Sequence, residues 1–109
     1  MQGRRFCWGP QPTVRCNFHW SAIRHDSVVV VTASEGREGV DADDHVIAYT
    51  STSPQRFVGD ARFTVDNIAP YDGGVVFRVT IDWPSPLMLW TEIILLDELS
   101  LSVDGFHRV

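Results

Sequence analysis

Lysine is absent from the 109 residues, so all nine basic side chains are arginines, set against fourteen acidic ones for a net charge of −5. Affinity for nucleic acid rests largely on clustered Lys and Arg that displace counterions from phosphate, and scattered arginines in an acidic chain lack that footprint. Nucleic acid is therefore not expected as a partner. Long apolar runs are missing too. The longest uninterrupted ones, Val28 to Val31, Leu87 to Trp90 and Ile93 to Leu96, fall well short of the roughly 20 residues a membrane-spanning helix needs. Arg4 and Arg5 near the amino terminus have no long apolar core behind them, which argues against a secretory signal. The expected compartment is the cytoplasm, with no membrane partner.

Cysteine is scarce. Cys7 and Cys16 could bridge across Gly9-Pro10-Gln11-Pro12, but in a reducing compartment two cysteines in neighbouring strands are more often buried thiols. No Cys-x-x-Cys motif and no Gly-x-Ser-x-Gly elbow occurs, and Cys16 alternates onto the face opposite His19, which makes them a poor nucleophile and base pair. Of the four histidines, His25 stands beside Asp26, and His45 ends the acidic run Asp41-Ala42-Asp43-Asp44. That run lacks the alternating spacing and terminal Glu of a calcium loop, and neither group has zinc-ligand spacing, so no metal and no cofactor is expected. Tandem repeats, low-complexity segments and a strand-helix-strand rhythm are likewise missing, which disfavours a doubly wound nucleotide-binding fold.

What is present is 44% hydrophobic and 21% charged residues, enough for a single domain over 1–109 with its own core and no need of stapling. The most ordered pattern runs from Ala61 to Trp83. Phe63 and Val65 alternate with Arg62, Thr64 and Asp66. Val75, Phe77, Val79, Ile81 and Trp83 alternate with Arg78, Thr80 and Asp82. Period-two alternation predicts a β-hairpin with one buried and one polar face. A two-residue Asp72-Gly73 loop would set Phe63 opposite Asp82 and mix the faces. A three-residue loop of Tyr71, Asp72 and Gly73 keeps the faces apart, placing Asp66 opposite Arg78, Thr64 opposite Thr80 and Arg62 opposite Asp82.

Elsewhere, Arg4 to Trp8 reads as a short edge strand stopped by Gly9, Pro10 and Pro12. Thr13 to Trp20 reads as a strand with Val14, Cys16, Phe18 and Trp20 inward and Arg15, Asn17 and His19 outward. Ser27 to Ala33 is apolar on both sides and predicts a strand covered on both faces. Glu35 to Asp44 is the most loop-like stretch, with a short helix capped by Asp41 as the alternative, and Val46 to Thr50 favours a strand. A bulge is expected near Gly59. Leu87 to Leu96 carries two apolar sets, and its β-branched Thr91, Ile93 and Ile94 favour a strand over a buried helix. Leu99, Leu101 and Val103 complete the pattern. The whole predicts an all-β fold, an antiparallel sandwich or small closed barrel of about eight short strands with at most one short helix.

Three functional readings follow. The first is a noncatalytic small-ligand or protein-binding and assembly module that self-associates as a homodimer. One face of Leu87 to Leu96 (Met88, Trp90, Glu92 and Ile94) forms the interface, since Trp and Met are enriched at interfaces, and the ligand is small and polar or anionic. The second is a small enzyme whose polar stripes converge in a barrel lumen, bringing Arg15, His19, Arg78 and Asp82 together. The plainer reading of those stripes is a solvent-facing charge ladder worth at most about 1 kcal/mol per pair. The third is a carbohydrate-binding module with exposed coplanar aromatics near Tyr71, drawn from Trp8, Trp20, Trp83, Trp90 and Tyr49. Against it, Trp20 and Trp83 fall on apolar stripes and read as core.

Overall fold

A computed structural model describes residues 1–37, 39–40, 46–48, 55–56 and 59–96. The chain is all-β, with strands β1 (Gln2–Gln11), β2 (Val14–His19), β3 (Val28–Arg37), β4 (Gly39–Val40), β5 (Val46–Ala48), β6 (Gln55–Arg56), β7 (Arg62–Tyr71), β8 (Gly74–Asp82) and β9 (Leu87–Leu96). Two antiparallel sheets, ordered β1-β9-β3-β6 and β2-β8-β7, pack together as a small sandwich, and β4 pairs with β5 separately. No closed barrel forms among the described residues.

The core lies where the inner faces of the two sheets meet, filled by Val29 and Val31 of β3, Val75, Phe77, Val79 and Ile81 of β8, and Leu89, Ile93 and Leu95 of β9, with Cys16, Trp20 and Ile23. At one end Phe6 and Trp8 of β1, themselves edge-to-face at 4.9 Å, cross to Phe18 of β2 and Phe77 of β8 in edge-to-face contacts with centroids 5.6–6.3 Å apart. Such geometry sets the positive edge of one ring against the negative face of the next. Thr91 is 1% exposed on the core face of β9, and its hydroxyl is satisfied there: Trp8 Nε1 donates to it at 2.9 Å and it donates to the Phe6 carbonyl at 3.4 Å. Burying an unpaired hydroxyl would cost about 1–3 kcal/mol, so the indole explains how a polar residue sits in this strand.

The hairpin has the expected register over its body: Arg62 faces Asp82, Phe63 Ile81, Thr64 Thr80, Val65 Val79 and Asp66 Arg78. The means differ from expectation. The loop has two residues, Asp72 and Gly73, with Tyr71 paired to Gly74, and the offset this creates is absorbed between Asp66 and Ala69. There Asn67 and Ile68 stand against Phe77 alone, a bulge in which Asn67 takes φ 53°. Left-handed φ is the conformation such bulges usually assign to glycine, and asparagine is among the few other residues that tolerate it. The hairpin's bulge is therefore at Asn67 and the loop is not the three-residue one, while the bulge expected near Gly59 adjoins residues 57–58, which lie outside the described residues. The segment Trp20 to His25 holds the tip: Trp20 N–H donates to the Gly73 carbonyl at 2.9 Å, Gly73 N–H to the Ile23 carbonyl at 2.8 Å, and His25 N–H to Asp72 Oδ1 at 2.8 Å.

Three other expectations are corrected. Trp83 is 44% exposed instead of core, because β8 ends at Asp82 and the Trp83-Pro84-Ser85-Pro86 segment leaves the sheet. Ser27 to Ala33 is not covered on both faces: Val29 and Val31 enter the core while Val28 (41%) and Val30 (39%) stay exposed on the outer face. Glu35 to Arg37 is not loop but the end of β3, where Gly36 and Arg37 pair with Arg56 and Gln55. Cys7 and Cys16 are both buried thiols, and Leu87 to Leu96 is a strand, paired on both edges by β1 and β3. The short helix at Asp41, the acidic run ending at His45, Tyr49 and the strand from Leu99 to Val103 lie outside the described residues. The bulge makes a direct prediction. Asn67→Gly retains stability, whereas Asn67→Val, forcing a β-branched residue to positive φ, costs about 1–2 kcal/mol; equal urea midpoints for the two variants would contradict this account.

Candidate functional site

Strand alternation sends Arg15, Asn17 and His19 of β2, and Val76, Arg78, Thr80 and Asp82 of β8, to the outer face of the β2-β8-β7 sheet. Register then sets their neighbours. Arg15 is directly opposite Arg78, and Asp66 of β7 flanks Arg78 on its other side. Like charges placed opposite each other across a ladder are destabilising, and Asp66 relieves one of them: Arg78 Nε and Nη2 donate to its two carboxylate oxygens at 2.9 and 2.8 Å. These charge-assisted bonds hold the Asp66 carboxyl below its ordinary range. Among the described residues no carboxylate pairs with Arg15. It is an exposed guanidinium beside an arginine that already has its counterion.

Beside this pair, at the bulge, lies a depression of about 540 Å³, lined by Arg15, Asn67, Ala69, Pro70, Tyr71, Val76 and Arg78 among others. Tyr71 forms its wall toward the hairpin tip. Its ring lies across β8 at Gly74, where a Cβ would collide with the Tyr71 hydroxyl and approach the Phe18 carbonyl to 2.6 Å. Through that gap Tyr71 Oη reaches β2 and donates to Asn17 Oδ1 at 2.6 Å, with His19 Nδ1 3.4 Å away. A small apolar floor with a few convergent polar groups at its rim has the composition of a small-molecule site.

Of the five expected ligand-binding residues, Arg15, Arg78 and Tyr71 line this depression, and His19 adjoins it through Tyr71. Asp82 does not belong to it. His19 pairs with Gly74 and Asp82 lies eight positions further along β8, which at about 3.3 Å per residue separates them by roughly 26 Å. The enzyme reading therefore loses its geometry: no closed barrel forms among the described residues, and Arg15, His19, Arg78 and Asp82 spread along an outward face. The carbohydrate reading lacks its platform, since the aromatic pairs among the described residues meet edge-on and exposed Trp83 stands at the opposite end of β8 from Tyr71. Sequence reasoning missed the apolar floor. Val76 was its available signal, the one large apolar residue on the outward stripe of β8.

Of the expected interface residues on β9, all face outward from the β1-β9-β3 sheet. Trp90 is 4% exposed and already packed within the chain, its indole filling the space where a Cβ at Gly36 would sit. Met88 is half-buried with the Cys7 thiol donating to its sulfur at 3.3 Å, and Glu92 accepts from Arg5 Nε at 3.3 Å. Ile94 is half-buried, opposite Val30. Among the described residues no group of three or more His, Cys, Asp or Glu converges to hold a metal, and burial pushes the Cys16 thiol up to about 11, leaving it protonated and unreactive at neutral pH. No helix among the described residues is long and apolar enough to cross a membrane. No protein-family model matches the chain, and no curated protein and no solved structure matches it either.

The hairpin tip that carries Tyr71 is fastened by His25, whose Nδ1 lies 3.0 Å from Asp72 Oδ1. The hydrogen bond and charge of Asp72, with Asp26 nearby, raise the His25 pKa above 6.5, and His25 lowers that of Asp72 below 3.8. A raised histidine pKa stabilises the folded state below pH 6.5 and is lost as pH rises through the elevated value; a depressed carboxyl stabilises it above pH 3.8 and is lost as pH falls through the depressed value. The fastening is thus complete between those limits. In an NMR titration the His25 imidazole should titrate above 6.5 and move down in Asp72→Asn, short of a full return because Asp26 remains; an unchanged titration would show that the two do not interact.

Proposed function

We propose that the chain is a noncatalytic module that binds a small anionic ligand at Arg15, on the outer face of the β2-β8-β7 sheet, and self-associates as a homodimer. The observation that carries the binding half is the pairing of Arg15 with Arg78. One acidic partner, Asp66, serves two arginines, so an incoming anion at Arg15 removes a like-charge repulsion as well as adding an attraction. The dimer half rests on the other sheet, where Val28 and Val30 remain exposed beside Ile94 and Leu96 of β9. Apolar side chains in register on an outer face are suited to an isologous contact with the same face of a second copy. That contact centres on Val30 and Ile94, with Trp90 supporting it from within.

Amide NMR with sodium acetate, at ionic strength held constant with sodium chloride, tests the binding half. Site-specific shifts at Arg15, Tyr71, Val76 and Arg78 are expected, and Arg15→Gln should abolish them while the spectrum stays folded. Shifts absent from the native protein, or unchanged in Arg15→Gln, would end this reading. For the dimer, light scattering after size exclusion should give twice the 12.3 kDa chain mass and a monomer for Val30→Glu. A native monomer would leave only the binding module.

A further inference from the structure

We infer that the ligand of this site is an amphipathic monoanion, a carboxylate on an apolar body, with the charged end at Arg15 and the body over Ala69 and Val76. The inference rests on the anion reading above and adds to it the chemistry of the rest of the ligand.

Charge counting comes first. Arg15 and Arg78 contribute two positive charges and Asp66 one negative, leaving one positive charge unbalanced at the rim, in a chain whose net charge is −5. A single negative charge neutralises the rim, whereas a dianion would overfill it next to Asp66. Strength comes second. Arg15 is exposed, and an exposed ion pair strengthens binding by at most about fivefold. Charge alone therefore cannot hold an inorganic ion usefully. The remaining affinity must come from the floor, where each buried methylene adds about fourfold. The bulge supplies that floor. By shifting the register of β7 by one residue it sets Ala69 opposite Val76 on the outer face, where both line the roughly 540 Å³ depression, a size within the range of small-molecule sites. Polar groups of the neighbouring network are already committed, Tyr71 Oη to Asn17 and Arg78 to Asp66. This leaves few free hydrogen-bonding groups for a polyhydroxylated ligand and suits an apolar body.

Straight-chain carboxylates provide the test. Acetate, butanoate, hexanoate and octanoate are titrated into the native protein by amide NMR, alongside octanol and inorganic phosphate at matched ionic strength. Affinity should rise by up to about fourfold per added methylene, with shifts spreading from Arg15 onto Ala69 and Val76. Octanol should bind several-fold more weakly than octanoate, and Arg15→Gln should bring octanoate to the level of octanol. Val76→Thr, nearly isosteric, should weaken octanoate while leaving acetate unchanged. Phosphate binding at Arg15 as tightly as octanoate, or no gain with chain length, would overturn the amphipathic ligand while the anion site stands. Octanoate shifts confined to Val28 and Val30 on the other sheet would overturn it as well. No shift at Arg15 with any charged probe would remove the anion site itself.

Discussion

The extra residue at Asn67 and Ile68 is the constraint on which the rest of this structure depends. At the hairpin tip, a two-residue loop and three hydrogen bonds between the tip and the Trp20 to His25 segment hold Tyr71 opposite Gly74. In the body, burial of Phe63 and Val65 beside Val79 and Ile81 requires Phe63 to face Ile81. The two registers differ by one residue, and a slip of one residue turns every side chain to the opposite face. One inserted position reconciles them. It also divides the outer face of the sheet, with the Asp66 and Arg78 pair on the body side, Tyr71 on the tip side, and the depression at the junction. The site is thus a consequence of how the hairpin closes.

The two sheets share a core but present different outer faces, and the difference follows from which positions each strand leaves apolar. On the β2-β8-β7 sheet, outward positions are mostly charged or hydroxylated, and aromatic Tyr71 covers the gap at Gly74. On the β1-β9-β3 sheet, outward positions include Val28, Val30, Trp90, Ile94 and Leu96. Trp90 shows how such a face can be partly internal: with no side chain at Gly36, the indole settles against β3 and becomes buried without entering the core between the sheets. Its Nε1 has no hydrogen-bond partner among the described residues, a cost of about 1–3 kcal/mol that the burial of a large ring offsets. What remains exposed is the far end of the same face, around Val28 and Val30.

Much of this was readable from alternation alone, because period two reports directly on which side chains share a face. That is why the body register of the hairpin, the inward set Cys16, Phe18 and Trp20, and the strand nature of Leu87 to Leu96 agree with expectation. Alternation does not say where a strand stops, so the phase of Ile81 extends to Trp83 although the sheet ends at Asp82. Nor does it identify a bulge, since a left-handed asparagine has the same composition as an extended one. A trace was present all the same: the apolar phase of Phe63 and Val65 changes to Ile68 and Pro70 across Asn67, and a phase change within one strand is what an inserted residue produces. The apolar sequence of Ser27 to Ala33 was misleading in the opposite sense, because residues apolar on both sides need cover on both sides only where a second layer exists.

The arrangement of Arg15, Arg78 and Asp66 shows why a charge ladder is more than a sum of pairs. Taken two at a time, Asp66 with Arg78 is a favourable surface pair of small value and Arg15 with Arg78 an unfavourable one of similar size. Taken together, the carboxylate cannot satisfy both arginines, because its two oxygens are already committed to Arg78 in a bidentate contact. Arg15 is then left on an edge strand, with solvent on one side and the depression on the other. An exposed arginine alone would be unremarkable on any protein surface. Its meaning here comes from position, since the same bulge that keeps the hairpin faces apart places an apolar hollow within reach of the one guanidinium of the triad that lacks a counterion.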